Sequence, residues 1–264
     1  MMNKIYQGLY PQKLFNLQEA NKIIKDYQVC KNNINRLVRQ KLITTLKPGL
    51  YHINPLDNKD FYPDPIHIGS KLRPNAVICA NSALRVLKLR TQDENTVYIS
   101  SKHHAKLRID NHTYKIIKDH NFGIDKIDYE TPYGTFEIKV TDPERTILDC
   151  LKTRSIKSEE LVNILRTRPL SLNFRKISNY LEKYNTPILY NKAGLILELC
   201  KGNLKIDEDD LEKIRKRLTR KIYYFKERGI KLVRPKYHYN KEWNIMLPDH
   251  LFELTKILKP QTVQ

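Results

Sequence analysis

The chain has 264 residues, of which 40% are hydrophobic and 29% are charged, and this composition excludes a collagen-like or low-complexity protein. The length indicates two domains rather than one, since a domain usually has about 100–200 residues. Lys and Arg outnumber Asp and Glu by 48 to 29, and the resulting charge of +19 favours an anionic partner such as nucleic acid without indicating a fold.

The four cysteines lie far apart, at Cys30, Cys79, Cys150 and Cys200, with no C-x-x-C pair among them. A secreted disulfide framework needs denser spacing, so we expect reduced thiols. No apolar run approaches the roughly 18 residues of a membrane-spanning helix, and the first residues lack the apolar core of a signal peptide. The chain is therefore expected in the cytoplasm, without membrane contact.

Helix and hairpin patterns follow one another in residues 1–54. Asn16 and Glu19 have the spacing of a capping box and predict the start of a first helix. After a polar break at residues 25–29, a second helix of about ten residues is predicted, with Ile34, Leu37 and Val38 facing inward. Two β-prone runs on either side of Lys47-Pro48-Gly49 then indicate a hairpin. This order predicts a winged helix-turn-helix domain.

The polar side of the second predicted helix carries amide and guanidinium groups. Such a helix fits the DNA major groove, where Asn pairs with adenine and Arg with guanine. The candidate base-contacting residues are Asn32, Asn33, Asn35, Arg36 and Arg39. The candidate phosphate-contacting residues are Lys31, Lys41 and Lys47. Residues 1–60 hold ten Lys and Arg against four Asp and Glu, which agrees with DNA binding; the alternative is a domain with solvated helices that binds only protein.

Four of the 13 prolines fall at residues 55–74, which predicts an extended connector there. In the second predicted domain, residues 75–201, strand patterns come before helix patterns without regular alternation. The predicted strands cover residues 96–100, 112–117 and 135–140, and the predicted helices cover residues 81–89, 142–152, 158–165, 173–184 and 192–200. The predicted fold class is α+β, with an N-terminal winged helix-turn-helix joined to a mixed α/β domain.

One short segment predicts a helix start in detail. Thr141 and Glu144 have capping-box spacing, and Pro143 between them is tolerated in a first turn. Arg145 and Asp149 lie four residues apart on the helix that this box would open. They are therefore predicted to form an ion pair.

Five segments share residues and order with one known family. They are Lys47-Pro48-Gly49-Leu50-Tyr51, Ala80-Asn81-Ser82-Ala83-Leu84, Asn121-Phe122-Gly123, the stretch with Glu144-Arg145-Thr146 and Leu148-Asp149, and Glu242-Trp243-Asn244. Through them the chain resembles the abortive-infection AbiEi antitoxin family of transcriptional regulators, with its wing, S-A-L helix, FG element, ERT-LLD helix and C-terminal Trp-Asn segment.

The resemblance implies a winged helix that binds operator DNA and represses its own operon, joined to a C-terminal antitoxin domain. It also implies a functional partner, an AbiEii-like nucleotidyltransferase toxin, which the antitoxin need not contact directly. Dimerisation on the DNA stays open. Family members often open the recognition helix with Ser or Thr, whereas Cys30-Lys31-Asn32 stands here. Which Asn faces the groove therefore also stays open.

The last predicted segment, residues 202–264, concentrates positive charge. Residues 213–236 hold eleven Lys and Arg against one acid, Glu227. A helix is predicted from the acidic run at residues 207–210 through Phe225. Its cations would contact DNA phosphates, and its aromatic rings could stack on bases. The candidate DNA-binding residues are Arg215, Lys216, Arg217, Arg220 and Lys221. The alternative is a solvated helix that packs inward through Leu211, Ile214, Leu218, Ile222 and Phe225.

Two incomplete patterns favour a metal-dependent enzyme. Glu137-Ile138-Lys139 with Asp125 or Asp128 fits the loose D…E-x-K pattern of nucleases, but E-x-K is frequent by chance in a Lys-rich chain and no strand is predicted at either Asp. His103 and His104 are adjacent, so their side chains would diverge. We expect no enzyme activity, no metal and no cofactor. A protein-binding antitoxin or interaction module without operator binding is the main alternative function.

Overall fold

The computed structural model describes residues 4–56, 61–92, 94–168, 170–227 and 236–258, in which helices and β-sheets are mixed. The predicted α+β class is confirmed. Two compact units are present. The first comprises Met1–Ser82, Asp93–Asp119 and Ile124–Val140, and the second comprises Ala83–Gln92, His120–Gly123 and Thr141–Gln264. The units do not follow the predicted limits at residues 54, 74 and 201, because the N-terminal helices and a large sheet belong to one unit.

The N-terminal part of the first unit consists of helices and a small antiparallel sheet. The helices are α1 (Lys4–Leu9), α2 (Leu17–Ile24) and α3 (Tyr27–Arg39), and the strands are β1 (Leu14–Asn16), β2 (Ile43–Lys47) and β3 (Leu50–Ile53), in the order β1-β3-β2. The predicted capping box is confirmed: the Asn16 side chain accepts the Glu19 N–H at 2.9 Å, and the Glu19 carboxylate accepts the Asn16 N–H at 2.8 Å. The predicted hairpin is also confirmed, and Gly49 in its turn has φ +82°, which glycine adopts without steric cost.

A shared apolar core fixes the orientation of α3. Cys30, Ile34 and Leu37 are at most 1% exposed and pack in one cluster with Phe15 and Ile43. Because these three side chains recur at helical spacing, one side of α3 lies inside the core and the opposite side faces solvent.

The predicted extended connector contains a helix, α4 (Pro65–Lys71). The Asp64 side chain caps α4 by accepting the Ile66 N–H at 2.7 Å, and Pro65 takes the first helical position, where its missing N–H costs no hydrogen bond. His67 and Ile68 are buried. The prediction of an extended chain was wrong because these prolines start and flank a helix. Residues 57–60 of the connector lie outside the described residues.

The large sheet of the first unit is mixed. Its described strands are β4 (Val77–Ile78), β5 (Thr96–Ser101), β6 (Ala105–Ile109), β7 (His112–Lys118), β8 (Ile124–Thr131) and β9 (Gly134–Thr141), and α5 (Ala80–Val86) follows β4. The strand order is β6-β7-β5-β4-β9-β8. β5 pairs parallel with β7 and antiparallel with β4. The sequence predicted β5, β7 and β9 and missed the other strands.

The second unit is mainly helical. Its described elements are α6 (Pro143–Thr153), α7 (Ser158–Thr167), α8 (Phe174–Tyr184), α9 (Pro187–Leu204), α10 (Glu208–Arg215), β10 (Tyr223–Tyr224), β11 (Tyr237–Asn240), β12 (Ile245–Pro248) and α11 (Asp249–Leu258). The Trp243 ring lies directly on Gly194 of α9, where a Cβ would come within 2.0 Å of the ring. Gly194 therefore permits the close packing of the Trp243 ring on α9.

The start of α6 differs from the prediction. Asp142 caps α6 by accepting the Arg145 N–H at 2.9 Å. Thr141 ends β9, and the Glu144 carboxylate accepts the Asn173 N–H at 2.7 Å instead of closing a capping box. The predicted box was wrong because β9 continues through Thr141 and keeps it in the strand.

The predicted pair of Arg145 and Asp149 is present, and it is buried. The Arg145 Nε lies 3.4 Å from Asp149 Oδ2, and the two side chains are 0% and 1% exposed. Arg145 also donates to the Phe122 carbonyl, and the Tyr184 hydroxyl donates to Asp149 at 2.6 Å. These contacts make the pair part of the internal framework of the second unit.

Two further findings concern the cysteines and possible membrane-spanning helices. The four cysteines, all within the described residues, are buried and form no disulfide. In the same part of the chain, no helix is both long and apolar enough to cross a membrane.

We expect His67 to make the stability of the first unit depend on pH. Its ring is 2% exposed and stacks on Phe136 with 3.8 Å between centroids, and burial, aided by the charge of Lys71, lowers its pKa from 6.5 to about 3. The unfolded chain therefore takes up a proton below about pH 6.5 that the folded chain does not, and stability is lost as the pH falls from there towards 3. Between about pH 7.5 and 5.5 the loss should be roughly 1 kcal/mol.

Chemical denaturation of the wild type and His67→Phe at both pH values measures this loss. Phe keeps a stacked ring without a titrating group, so the variant should lose about 1 kcal/mol less than the wild type. An equal loss in the two proteins would contradict the assignment.

Candidate nucleic-acid interface

The candidate interface is built on α3, which starts at Tyr27 rather than after residue 29. The Asp26 side chain accepts the Val29 N–H at 2.8 Å and caps the helix. Lys25, at φ +62°, ends α2, so the polar break is shorter than predicted. Cys30, which stands at the predicted opening, lies inside α3 and is buried.

One side of α3 carries a continuous stripe of exposed polar side chains. With about 3.6 residues per turn, its members lie together, opposite the buried side of the helix. We call this set the α3 stripe; it consists of Asn32, Asn35, Arg36 and Arg39. None of the 13 residues of α3 is acidic. Among the described residues neither Arg36 nor Arg39 forms an ion pair, so both cations face solvent.

Asn33 lies at the edge of the α3 stripe, and its side chain forms hydrogen bonds within α3. Its Nδ2 donates to the Val29 carbonyl at 3.0 Å, and its Oδ1 accepts from Arg36 Nη2 at 3.3 Å. Gln28 donates to Asn32 at 3.3 Å and extends the exposed side by one turn. Sequence reasoning missed Gln28 because the helix was predicted to begin after it.

The three predicted phosphate-contacting lysines have different surroundings. Lys31 and Lys41 are exposed, whereas Lys47, at the end of β2, is half-buried. Desolvation, and then the charge of Arg73, lower the pKa of Lys47. Arg73 and Lys71 were not predicted as candidates, although two cations flanking Leu72 in a proline-rich segment were a visible signal.

Arg215 is not available for DNA, contrary to the prediction. The carboxylates around its guanidinium, at 2.5–3.6 Å, belong to Glu198, Glu208, Glu212 and Glu242. The guanidinium also lies over the Trp243 ring, 4.9 Å from its centroid. One cation and four carboxylates form a cluster of net negative charge, which repels phosphate. The prediction was wrong because the sequence does not reveal acidic partners that are distant along the chain.

The predicted basic helix through Phe225 ends at Arg215. The chain then enters β10, which pairs parallel with β12, and this pairing replaces further helix. Ile222 is 49% exposed instead of packed inward. Four predicted residues of this segment are exposed: Lys216, Arg217, Arg220 and Lys221. Arg217 forms an exposed ion pair with Glu182 at 2.8 Å. Arg228, Lys231 and Arg234 lie outside the described residues.

The carboxylates of the nuclease pattern are exposed and, among the described residues, form no metal-binding cluster. Asp125 and Asp128 lie on β8, where no strand was predicted, and Glu137 lies on β9. Glu137 forms an ion pair with Lys126 at 2.9 Å. Among the described residues, no three His, Cys, Asp or Glu side chains come together as a metal ion would require.

Comparison with known proteins finds a similar fold but no family. The crystal structure of the RV2827C protein from Mycobacterium tuberculosis matches with a TM-score of 0.60 at 9% identity, over 97% of this chain and 94% of that chain. No family model matches the chain, and no curated protein does. The similarity shows a shared fold over nearly the full length, and at this identity it carries no information about function.

We expect Arg215 to stabilise the second unit. Arg215→Met leaves four carboxylates close together without their cation and should lower the free energy of unfolding by about 2 kcal/mol, less than a fully buried pair because the site is partly exposed. Lys216→Met, which removes an exposed neighbouring charge, should change it by less than about 0.5 kcal/mol. Chemical denaturation compares the two variants, and equal stability would contradict a structural role for Arg215.

Proposed function

We propose that the chain is a DNA-binding transcriptional regulator that represses its own operon and acts as the antitoxin of an AbiEii-like nucleotidyltransferase toxin in the cytoplasm. The observation that carries DNA binding is the α3 stripe. It combines two amides and two guanidinium groups on the solvent side of a helix that contains no acid. The antitoxin role rests on the resemblance of the sequence to the AbiEi family.

In this proposal the N-terminal elements work as a winged helix-turn-helix. α2 and α3 are the two helices of the helix-turn-helix, and the hairpin of β2 and β3 is the wing. Support comes from the order of these elements and from the tight link between them: Lys25 ends α2, and Asp26 already caps α3. A recognition helix needs one buried and one exposed polar side, and α3 has both.

Each side chain of the α3 stripe has a chemical role in this proposal. Asn32 and Asn35 pair with adenine, and Arg36 and Arg39 pair with guanine. Asn33 positions Arg36 through the hydrogen bond between their side chains. Lys31, Lys41 and Lys47 contact phosphates, which orient the protein without selecting a sequence.

The exposed cations after α10 form a second candidate contact with DNA. Lys216, Arg220 and Lys221 are exposed and have no carboxylate partner among the described residues, whereas the exposed Arg217 pairs with Glu182. They suit contact with the phosphate backbone, because they lie in the segment between α10 and β10 and not along a helix that could enter a groove. We assign them to binding that does not depend on sequence.

The proposed antitoxin role belongs to the surface of the second unit. Several of the residues that carry the family resemblance there are buried: Glu144, Arg145 and Asp149 in α6, and Trp243 against Gly194. These buried residues belong to the internal packing of the unit, and the proposed role does not require direct contact with the toxin. Co-expression with the nucleotidyltransferase of the neighbouring gene tests this role, and unrelieved toxicity would contradict it.

DNA binding is tested with a duplex from the region upstream of the coding sequence. Arg36→Ala and Arg39→Ala should each weaken binding by roughly 5- to 150-fold, since one base contact is worth about 1–3 kcal/mol. Fluorescence anisotropy at several salt concentrations gives the affinity of each variant.

The matched control is Lys106→Ala, which removes one exposed cation from β6 of the same unit. Affinities of the arginine variants equal to that of this control would contradict the assignment of α3. A stable complex with the toxin, together with no shift of the duplex at low salt, would favour the protein-binding alternative instead.

A further inference from the structure

A groove of about 230 Å³ opens in the first unit between the start of α2, the hairpin turn and the end of α4. Its polar side chains come from Asn16, Gln18, Lys47, Lys71 and Arg73. Backbone hydrogen bonds fix its walls, since the Leu17 N–H donates to the Gly49 carbonyl at 3.1 Å and β1 pairs with β3. The groove, which we call the Lys47 groove, is therefore held by the folded framework.

The described residues that line the Lys47 groove include three cations and no carboxylate. Lys71 is held by Glu19, whose other carboxylate oxygen accepts the Asn16 N–H at 2.8 Å. Lys47 and Arg73 have no acidic partner in the described part of the chain. The charge of Arg73 adds to desolvation in lowering the pKa of Lys47. Two like charges that repel each other in a half-buried groove are stabilised when an anion binds between them.

The position and size of the groove further restrict the ligand. α2 begins at the groove, but the Glu19 carboxylate in its first turn offsets the positive end of its dipole, so the attraction for an anion comes from Lys47 and Arg73. The volume is below the roughly 300–1,000 Å³ of typical small-molecule sites. A single phosphate group suits this space better than a whole nucleotide.

We propose that the Lys47 groove binds one phosphate group through Lys47 and Arg73, and, resting on the proposed function, that this group is a backbone phosphodiester of the DNA bound by the α3 stripe. The contact fixes the hairpin and the end of α4 on the same DNA strand. It adds Arg73, which belongs to the predicted connector, to the DNA-binding surface.

The test compares Lys47→Ala and Arg73→Ala with Lys106→Ala on the upstream duplex and on a scrambled duplex. Each groove variant should weaken binding to both duplexes by a similar factor, about three- to tenfold, and reduce the slope of log affinity against log salt by about 1. Arg73→Lys should restore the slope, because it restores the charge. Asn35→Ala should leave the slope unchanged and weaken only the upstream duplex.

A second arm measures the melting temperature with inorganic phosphate against sodium chloride at equal ionic strength. If phosphate stabilises the wild type but not Arg73→Ala, and the wild type binds neither duplex, the groove is a site for free phosphate. That result would overturn the proposed function. Normal DNA binding with affinity and slope unchanged in both groove variants would overturn the groove proposal alone. If the protein shows neither DNA binding nor stabilisation by phosphate, both proposals are overturned.

Discussion

The burial of Cys30, Ile34 and Leu37 is the constraint on which the candidate interface depends. These side chains fix α3 against β2 and the N-terminal helix, and the opposite side of the helix can then only face solvent. The sequence alone makes that side of α3 polar, but the packing of the core makes it face solvent. A helix held rigidly in this way can present Asn32, Asn35, Arg36 and Arg39 as one surface.

The cations of the chain are of two kinds, those paired with carboxylates and those without such partners, and only the folded structure distinguishes them. Arg215 and Arg145 are held by carboxylates inside the second unit and contribute to its framework. Arg36, Arg39, Lys47 and Arg73 have no such partners among the described residues. The excess of cations therefore indicates an anionic partner only where the fold, in the described part of the chain, leaves them without carboxylates, as it does on and beside α3 and at Lys216, Arg220 and Lys221.

Sequence reasoning succeeded where structure is decided within a few residues. The Asn16 capping box, the Pro48-Gly49 turn and the pair of Arg145 and Asp149 were all predicted from local spacing and are present. Sequence reasoning failed where residues distant along the chain determine the local structure. The carboxylates of Glu198 and Glu242 hold Arg215, pairing with β12 ends the predicted basic helix, and α4 forms where prolines suggested extended chain. The meeting of Lys47 with Arg73 likewise depends on the fold.

Amide chemical-shift mapping of the isotope-labelled chain with its upstream duplex tests the central claim most directly, because it reports which backbone positions sense the DNA. The account predicts that the largest shifts fall on residues 28–39 and on the hairpin turn at residues 47–49, and that they diminish when a scrambled duplex replaces the upstream one. Shifts confined to residues 216–224 with no change along α3 would contradict it.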